Sequence, residues 1–113
     1  MQFTVPLCEN RDFRRMYAKA DNVLGGCMVV YGRRNRSGVN RLGFTVSTKV
    51  GNAVIRNRAR RRLKECYRLH EKDFKTGFDI VIAARGRAVT APFEKLQREM
   101  LDLCRKLGLM RSL

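Results

Sequence analysis

Acid is what this chain has least of. Ten Asp and Glu stand against 25 Lys and Arg in 113 residues, a formal charge of +15. The acids are also scattered: Asp12 and Asp21 bracket one segment, and Glu94, Glu99 and Asp102 read as the exposed side of the last one. A nuclease working through its own side chains needs clustered carboxylates for metal ions or a poised histidine pair. Only one histidine occurs, His70, at the end of an apolar stripe where a structural role fits best. Phosphate-cradling glycine loops, dinucleotide fingerprints and nucleophile elbows are missing as well. The polypeptide therefore reads as non-catalytic. Long apolar runs are absent too. Residues 27–31 and 80–84 are far too short to span a bilayer, and no secretory signal precedes the first helical segment, so a cytoplasmic protein with no membrane partner is expected. Cys8, Cys27, Cys66 and Cys104 are scattered, with no C-x-x-C pair and only His70 as an imidazole partner, which argues against a zinc site. Each lies in or beside an apolar pattern, and four buried, reduced thiols are expected.

What the chain has instead is concentrated in residues 49–65, KVGNAVIRNRARRRLKE, with seven basic residues and one acid. Such a run suggests a disordered tail, but apolar residues at helical spacing argue otherwise. Ile55, Ala59, Leu63, Cys66 and His70 form one stripe, while Asn57, Arg60, Arg61, Lys64 and Arg68 fall on the other side. Gly51-Asn52 supplies the entry turn, with Asn52 as N-cap. Cations close behind a helix start oppose the macrodipole, so the charge serves something outside the fold. Arginine forks pair with phosphate oxygens, and a polyanion is the matching partner.

The length sets one domain, residues 1–113, with a single modest core. Residues 1–9 read as an extended lead-in. Asn10 is placed as the N-cap of a helix over residues 11–20, with Phe13, Met16, Tyr17 and Ala20 on its apolar face; periodicity favours the core for the two aromatics, and stacking on unpaired bases is the alternative in so basic a chain. Residues 27–31 and 41–47 read as strands joined by the polar loop 33–40, and so short a link predicts an antiparallel pair. Along the second strand Leu42, Phe44 and Val46 point one way, and Gly43, Thr45 and Ser47 the other, a shallow and wettable surface. Residues 78–84, FDIVIAA, are the most apolar strand and are placed at the centre. Thr90 is read as the cap of a last helix, with Pro92 in its first turn, an apolar face of Phe93, Leu96, Met100, Leu103, Cys104 and Leu107, and Gly108 as its end. The fold class is α+β, an α/β sandwich with helices covering a small sheet.

The stretch GFTVSTKVGNAVIRNRARRRLKE closely resembles the signature of the bacterial ribonuclease P protein component family: a hydroxyl-bearing strand, a Lys, Gly-Asn-Ala-Val, then Arg-Asn-Arg and further basic positions ending in Glu. Asp12-Phe13 with Tyr17, the Val-Val-Tyr strand, the 79–84 strand and the helix opening near Pro92-Phe93 are similar to the family as well, so the likeness covers nearly the whole chain. It implies an αβββαβα order, a four-stranded sheet with one further strand near residues 19–24, and a left-handed crossover at the basic helix. It also implies the protein subunit of a ribonucleoprotein endonuclease that removes the 5′ leader of precursor tRNA, with the chemistry done by ribonuclease P RNA and Mg²⁺ bound mainly by that RNA. One protein per catalytic RNA is implied. Lys49, Arg56, Asn57, Arg58, Arg60, Arg61 and Lys64 are then expected on the catalytic RNA, and Phe13, Tyr17, Lys19, Tyr31 and Ser47 around the leader. Many relatives carry a more basic N-terminal tail than MQFTVPLCEN, so the resemblance gives the tail no RNA-binding role. A ribosomal RNA-binding protein and a DNA-binding module are the alternatives. No helix-turn-helix pairing surrounds the basic helix.

Overall fold

Strand alternation divides the side chains between two unequal faces, and the computed structural model, which describes residues 1–111, shows what covers each. The elements run β1 (Thr4–Pro6), α1 (Asn10–Lys19), β2 (Asp21–Leu24), β3 (Met28–Arg34), β4 (Asn40–Val46), α2 (Ala53–His70), β5 (Phe78–Ala84) and α3 (Phe93–Lys106). They build one five-stranded sheet in the order β1-β4-β5-β3-β2. The α+β class, the central placing of β5 and the strand near residue 20 all agree with the sequence. The strand count does not. Residues 4–6 of the supposed lead-in are an edge strand parallel to β4, where Pro6 is tolerated.

β3 and β4 do not pair. β5 lies between them, antiparallel to β3 and parallel to β4. Asp79, Ile80, Val81 and Ile82 are buried in succession, and a strand apolar on both faces gains most from the centre. The loop 35–39 therefore crosses two strand spacings, about 10 Å, which five residues bridge easily. The parallel β4–β5 pair is linked through α2.

On one face Met28, Val30, Leu42, Ile80 and Ile82 pack against Ala59, Leu63, Cys66 and Tyr67 of α2 and Leu96, Met100 and Cys104 of α3. Tyr67 extends the apolar stripe where His70 was expected to. It is fully buried, its ring 4.6 Å from Phe74 and its hydroxyl 2.8 Å from Thr4 Oγ1. His70 is half-buried and bridges α2 to α3 through Gln97 Oε1, 2.9 Å away. Glu99 is not a free surface acid: its carboxylate accepts from the Gly26 and Cys27 amides at 3.0 and 2.8 Å and ties α3 to the turn before β3.

Two caps differ from expectation. α1 starts after Glu9, so Asn10 is already helical, and α3 starts after Pro92 rather than at a Thr90 cap. Residues 86–91 form a turn that separates Thr90 from the helix. Asn52 does cap α2, its Oδ1 accepting from the Ile55 amide at 3.0 Å. A side chain at Gly51 would strike Ile55. Gly108, at φ 72°, ends α3. Cys27, Cys66 and Cys104 are buried and free, but Cys8 is exposed.

Candidate nucleic-acid interface

The other sheet face is covered by α1 alone. Phe13, Met16 and Ala20 sit over Leu7, Tyr31 and Val81, a second and smaller core. Strand register places three rows of side chains across this face: Leu24, Val29, Ala83 and Thr45; then Asn22, Tyr31, Val81 and Gly43; then Arg33, Asp79, Arg41 and Val5. Helical phase sets Tyr17 on one flank of α1 and Asp12, Arg15 and Lys19 on the other. α1 is thus a ridge dividing the face into two grooves.

The first groove holds the uncovered row. Tyr17 is 44% exposed, its hydroxyl donating to Thr45 Oγ1 at 2.9 Å. Its ring meets Tyr31 edge-on, centroids 5.0 Å apart. Val29 and Ala83, both half-buried, supply an apolar floor, and Leu24, 64% exposed, ends their row at the sheet edge. Ser47 continues the Gly43–Thr45 side of β4 towards α2, but its Oγ accepts from the Lys49 amide at 3.2 Å and caps a short turn. The structure thus brings Tyr17, Tyr31 and Ser47 to one side of the ridge. It does not bring Lys19 there. Phe13 is half-buried with its ring on Gly43, where an added Cβ would stand 2.5 Å from its Cζ; it is a pillar under α1 rather than a free platform.

Beyond Ser47 the chain enters α2 and its cations. Arg61 and Lys64 are exposed, as are Asn57, Arg58 and Lys49, while Arg56 and Arg60 are half-buried. Arg60 donates to Asn57 Oδ1 at 2.9 Å, one turn apart, and Arg56 to the Gly51 carbonyl at 2.9 Å. These bonds aim the guanidinium groups without neutralising them. Arg62 differs from its neighbours. It turns inward to donate to the carbonyls of Ala88 and Ala91, clamping the turn before α3. Arg68 is paired with Glu65.

A second groove was not legible in the sequence. On the far flank of α1, Arg41 forks onto Asp79 at 2.8 and 2.6 Å and also faces Asp12 at 3.6 Å. Burial pushes the Asp79 carboxyl up, but hydrogen bonds from Arg41 and Asn35 outweigh it and hold the group below its usual range. Among the described residues no group of three or more His, Cys, Asp or Glu is placed to hold a metal ion, and no helix is long and apolar enough to cross a membrane.

Comparison with known proteins defines the class to which this arrangement belongs. The sequence model of the Ribonuclease P family matches residues 1–108. The ribonuclease P protein component of Alkaliphilus oremlandii is 40% identical over 106 residues, 94% of this chain and 93% of that protein. That of Alkaliphilus metalliredigens is 40% identical over 110 residues, covering 97% and 99%. Among solved structures, the Staphylococcus aureus RNase P protein superposes with a TM-score of 0.81 at 30% identity, covering 94% of this chain and 97% of that one. The RNase P protein from Thermotoga maritima gives 0.81 at 27% identity, covering 90% and 96%. The chain belongs to the ribonuclease P protein component family. It is a protein subunit of ribonuclease P, the endoribonuclease of tRNA 5′ maturation, whose partner is RNA.

Proposed function

We propose that this subunit holds ribonuclease P RNA with the outer side of α2 and grips the single-stranded 5′ leader of precursor tRNA in the Tyr17–Tyr31 groove, one protein to each catalytic RNA, in the cytoplasm. The observation that carries this reading is the continuity of the two surfaces: the aromatic and hydroxyl groove runs through Thr45 and Ser47 into the start of α2. Stacking on aromatic side chains tolerates any base, which suits a leader of variable sequence. Phosphate pairing with Arg60, Arg61 and Lys64, flanked by Arg56, Asn57, Arg58 and Lys49, suits a folded RNA. Lys19 adds charge at the end of α1 but stands outside the groove, and Phe13 acts by seating α1.

Mg²⁺ is assigned to the RNA. Asp12 and Asp79 are both faced by Arg41, a poor setting for a divalent cation. The protein's contribution is to neutralise phosphates and to favour precursor over product. Cleavage of precursor tRNA by a bacterial ribonuclease P RNA at low Mg²⁺ tests this. Restored cleavage at the mature 5′ end, absent without the RNA, is expected; cleavage without RNA, or no stimulation while binding persists, overturns it. Arg60→Ala with Arg61→Ala should flatten the salt dependence of RNA binding by roughly one to two phosphate contacts.

A further inference from the structure

The groove on the far flank of α1 is a notch of about 210 Å³ lined by five arginines and two aspartates. Arg41 and Asp79 neutralise each other, and Arg34 lies over the Phe78 ring at 5.9 Å. Arg15, Arg33 and Arg36 make no ion pair within 4.0 Å among the described residues, although Arg33 stands across from Asp79 and helps to lower its carboxyl. Arg33 is the telling member. Its Nη1 is shut off from solvent and meets no acceptor, so the protein leaves this nitrogen unanswered, and a ligand would meet the half-buried side chain through its accessible atoms.

The loop beside the notch is tied down by hydrogen bonds. Asn35 organises the loop that carries the arginines: its amide donates to Gly77 O at 2.9 Å, its Nδ2 to Asp79 Oδ1 at 2.9 Å, and its Oδ1 accepts from the Ser37 amide at 2.7 Å. Arg36 is held at φ 59°, a conformation that few side chains adopt. A cationic concavity in which five arginines face only two carboxylates is suited to a tetrahedral oxyanion.

We propose that the Arg15–Arg33–Arg36 notch seats a backbone phosphate of RNA, a contact point separate from both α2 and the Tyr17–Tyr31 groove. It rests on the RNA-binding reading above and adds a third site to it. A phosphodiester fits better than a free metabolite, because the notch opens on the same sheet face as the groove and on a chain of charge +15. The phosphate comes either from the catalytic RNA or from the leader.

Equilibrium binding is measured across a salt series for two RNAs: ribonuclease P RNA alone, and precursor tRNA with leaders of increasing length on the assembled holoenzyme. The proteins are wild type, Arg15→Gln with Arg33→Gln, Arg15→Gln alone, Arg33→Lys, and Arg60→Ala with Arg61→Ala. For one RNA the double notch variant should lower the log–log salt slope by about 0.7–0.9 per phosphate lost. Arg33→Lys should keep the slope but weaken binding several-fold, since an ammonium lacks the fork. A change confined to longer leaders assigns the phosphate to the leader; a change with the RNA alone assigns it to the catalytic subunit. Wild-type slopes and affinities for both RNAs, alongside a weakened α2 variant, overturn the notch. No effect from either the notch or the α2 variants overturns the RNA-binding reading itself. Arg15→Gln, on the exposed side of α1, decides the matter if the double variant melts early.

Discussion

Gly43→Ala is the substitution through which the packing of α1 can be tested most directly. Gly43 lies on β4 under the Phe13 ring. A Cβ there would stand 2.5 Å from Phe13 Cζ, 2.6 Å from Cε1 and 3.4 Å from Leu7 Cβ. The first two distances lie inside van der Waals contact, so the ring must move and α1 with it. Overpacking of this kind costs about 1–3 kcal/mol. Against it stands the ordinary gain from replacing glycine within a strand, about 0.5–1 kcal/mol. The net loss expected is about 1–2 kcal/mol, or roughly 4–8 °C of melting temperature per kcal/mol for a domain near this size. The cause is isolated by a double-mutant cycle. With Phe13→Ala already in place the clash is gone, and adding Gly43→Ala should be neutral or slightly stabilising. The coupling between the two sites is then about 1–3 kcal/mol, within the range of contacting pairs. Chemical denaturation of the four proteins measures it. Because the ring seats the ridge that walls the groove proposed for the leader, that proposal predicts that precursor affinity falls while mature tRNA binding is spared. An equal Gly43→Ala cost in the wild-type and Phe13→Ala backgrounds refutes the reasoning.

Other consequences are independent of that pair. Arg62→Ala removes two charge-assisted bonds to the Ala88 and Ala91 carbonyls; it should cost about 2 kcal/mol by denaturation, tempered by partial exposure, and leave the salt slope of RNA binding unchanged. Glu71 anchors β1 through the Gln2 and Phe3 amides at 2.9 and 3.1 Å and the Thr4 hydroxyl at 2.5 Å. Burial raises its carboxyl, but these donors prevail and lower it, as Arg41 and Asn35 do for Asp79. Depressed carboxylates stabilise above their unfolded values, about 4, and lose that contribution as pH falls through the folded ones. The stability gap between wild type and Glu71→Gln should therefore shrink from about pH 7 to about pH 3 in denaturant melts. Burial pushes the Cys66 thiol to about 11 and the Cys104 thiol to about 12. A thiol reagent at about pH 8 should modify Cys8 alone until the protein unfolds; rapid reaction of a second thiol would refute the packing.

Local chemistry accounts for what was legible in the sequence. The basic helix carried its own period and its own cap, so a helix from Asn52 to about residue 70 or 72, the Asn52 cap and the cationic side of α2 were legible locally, although Tyr67 rather than His70 completes the buried stripe. The 78–84 strand announced its central place by being apolar without alternation. The α3 face was equally plain, with Leu96, Met100, Leu103 and Cys104 at helical intervals. Each of these signals lies within one element, where neighbours in sequence are neighbours in space.

What the sequence alone could not determine depends on which elements meet. Whether Arg62 faces RNA or a carbonyl pair is decided by where the turn before α3 comes to rest. Phe13 became a pillar because a glycine 30 positions later lies beneath it. The separation of β3 from β4 was settled by competition for the sheet centre, which β5 wins by burying both its faces. The arginine notch is the clearest case. Arg15, Arg33 and Arg41 are harmless surface cations on three separate elements until strand register and the crossing of α1 bring them around Asp79. Composition determined that this chain must bind a polyanion, because a charge of +15 on 113 residues needs one. Only the tertiary structure decided which of those charges are left free of partners within the protein, because whether a guanidinium is free or engaged is a property of its neighbours in space.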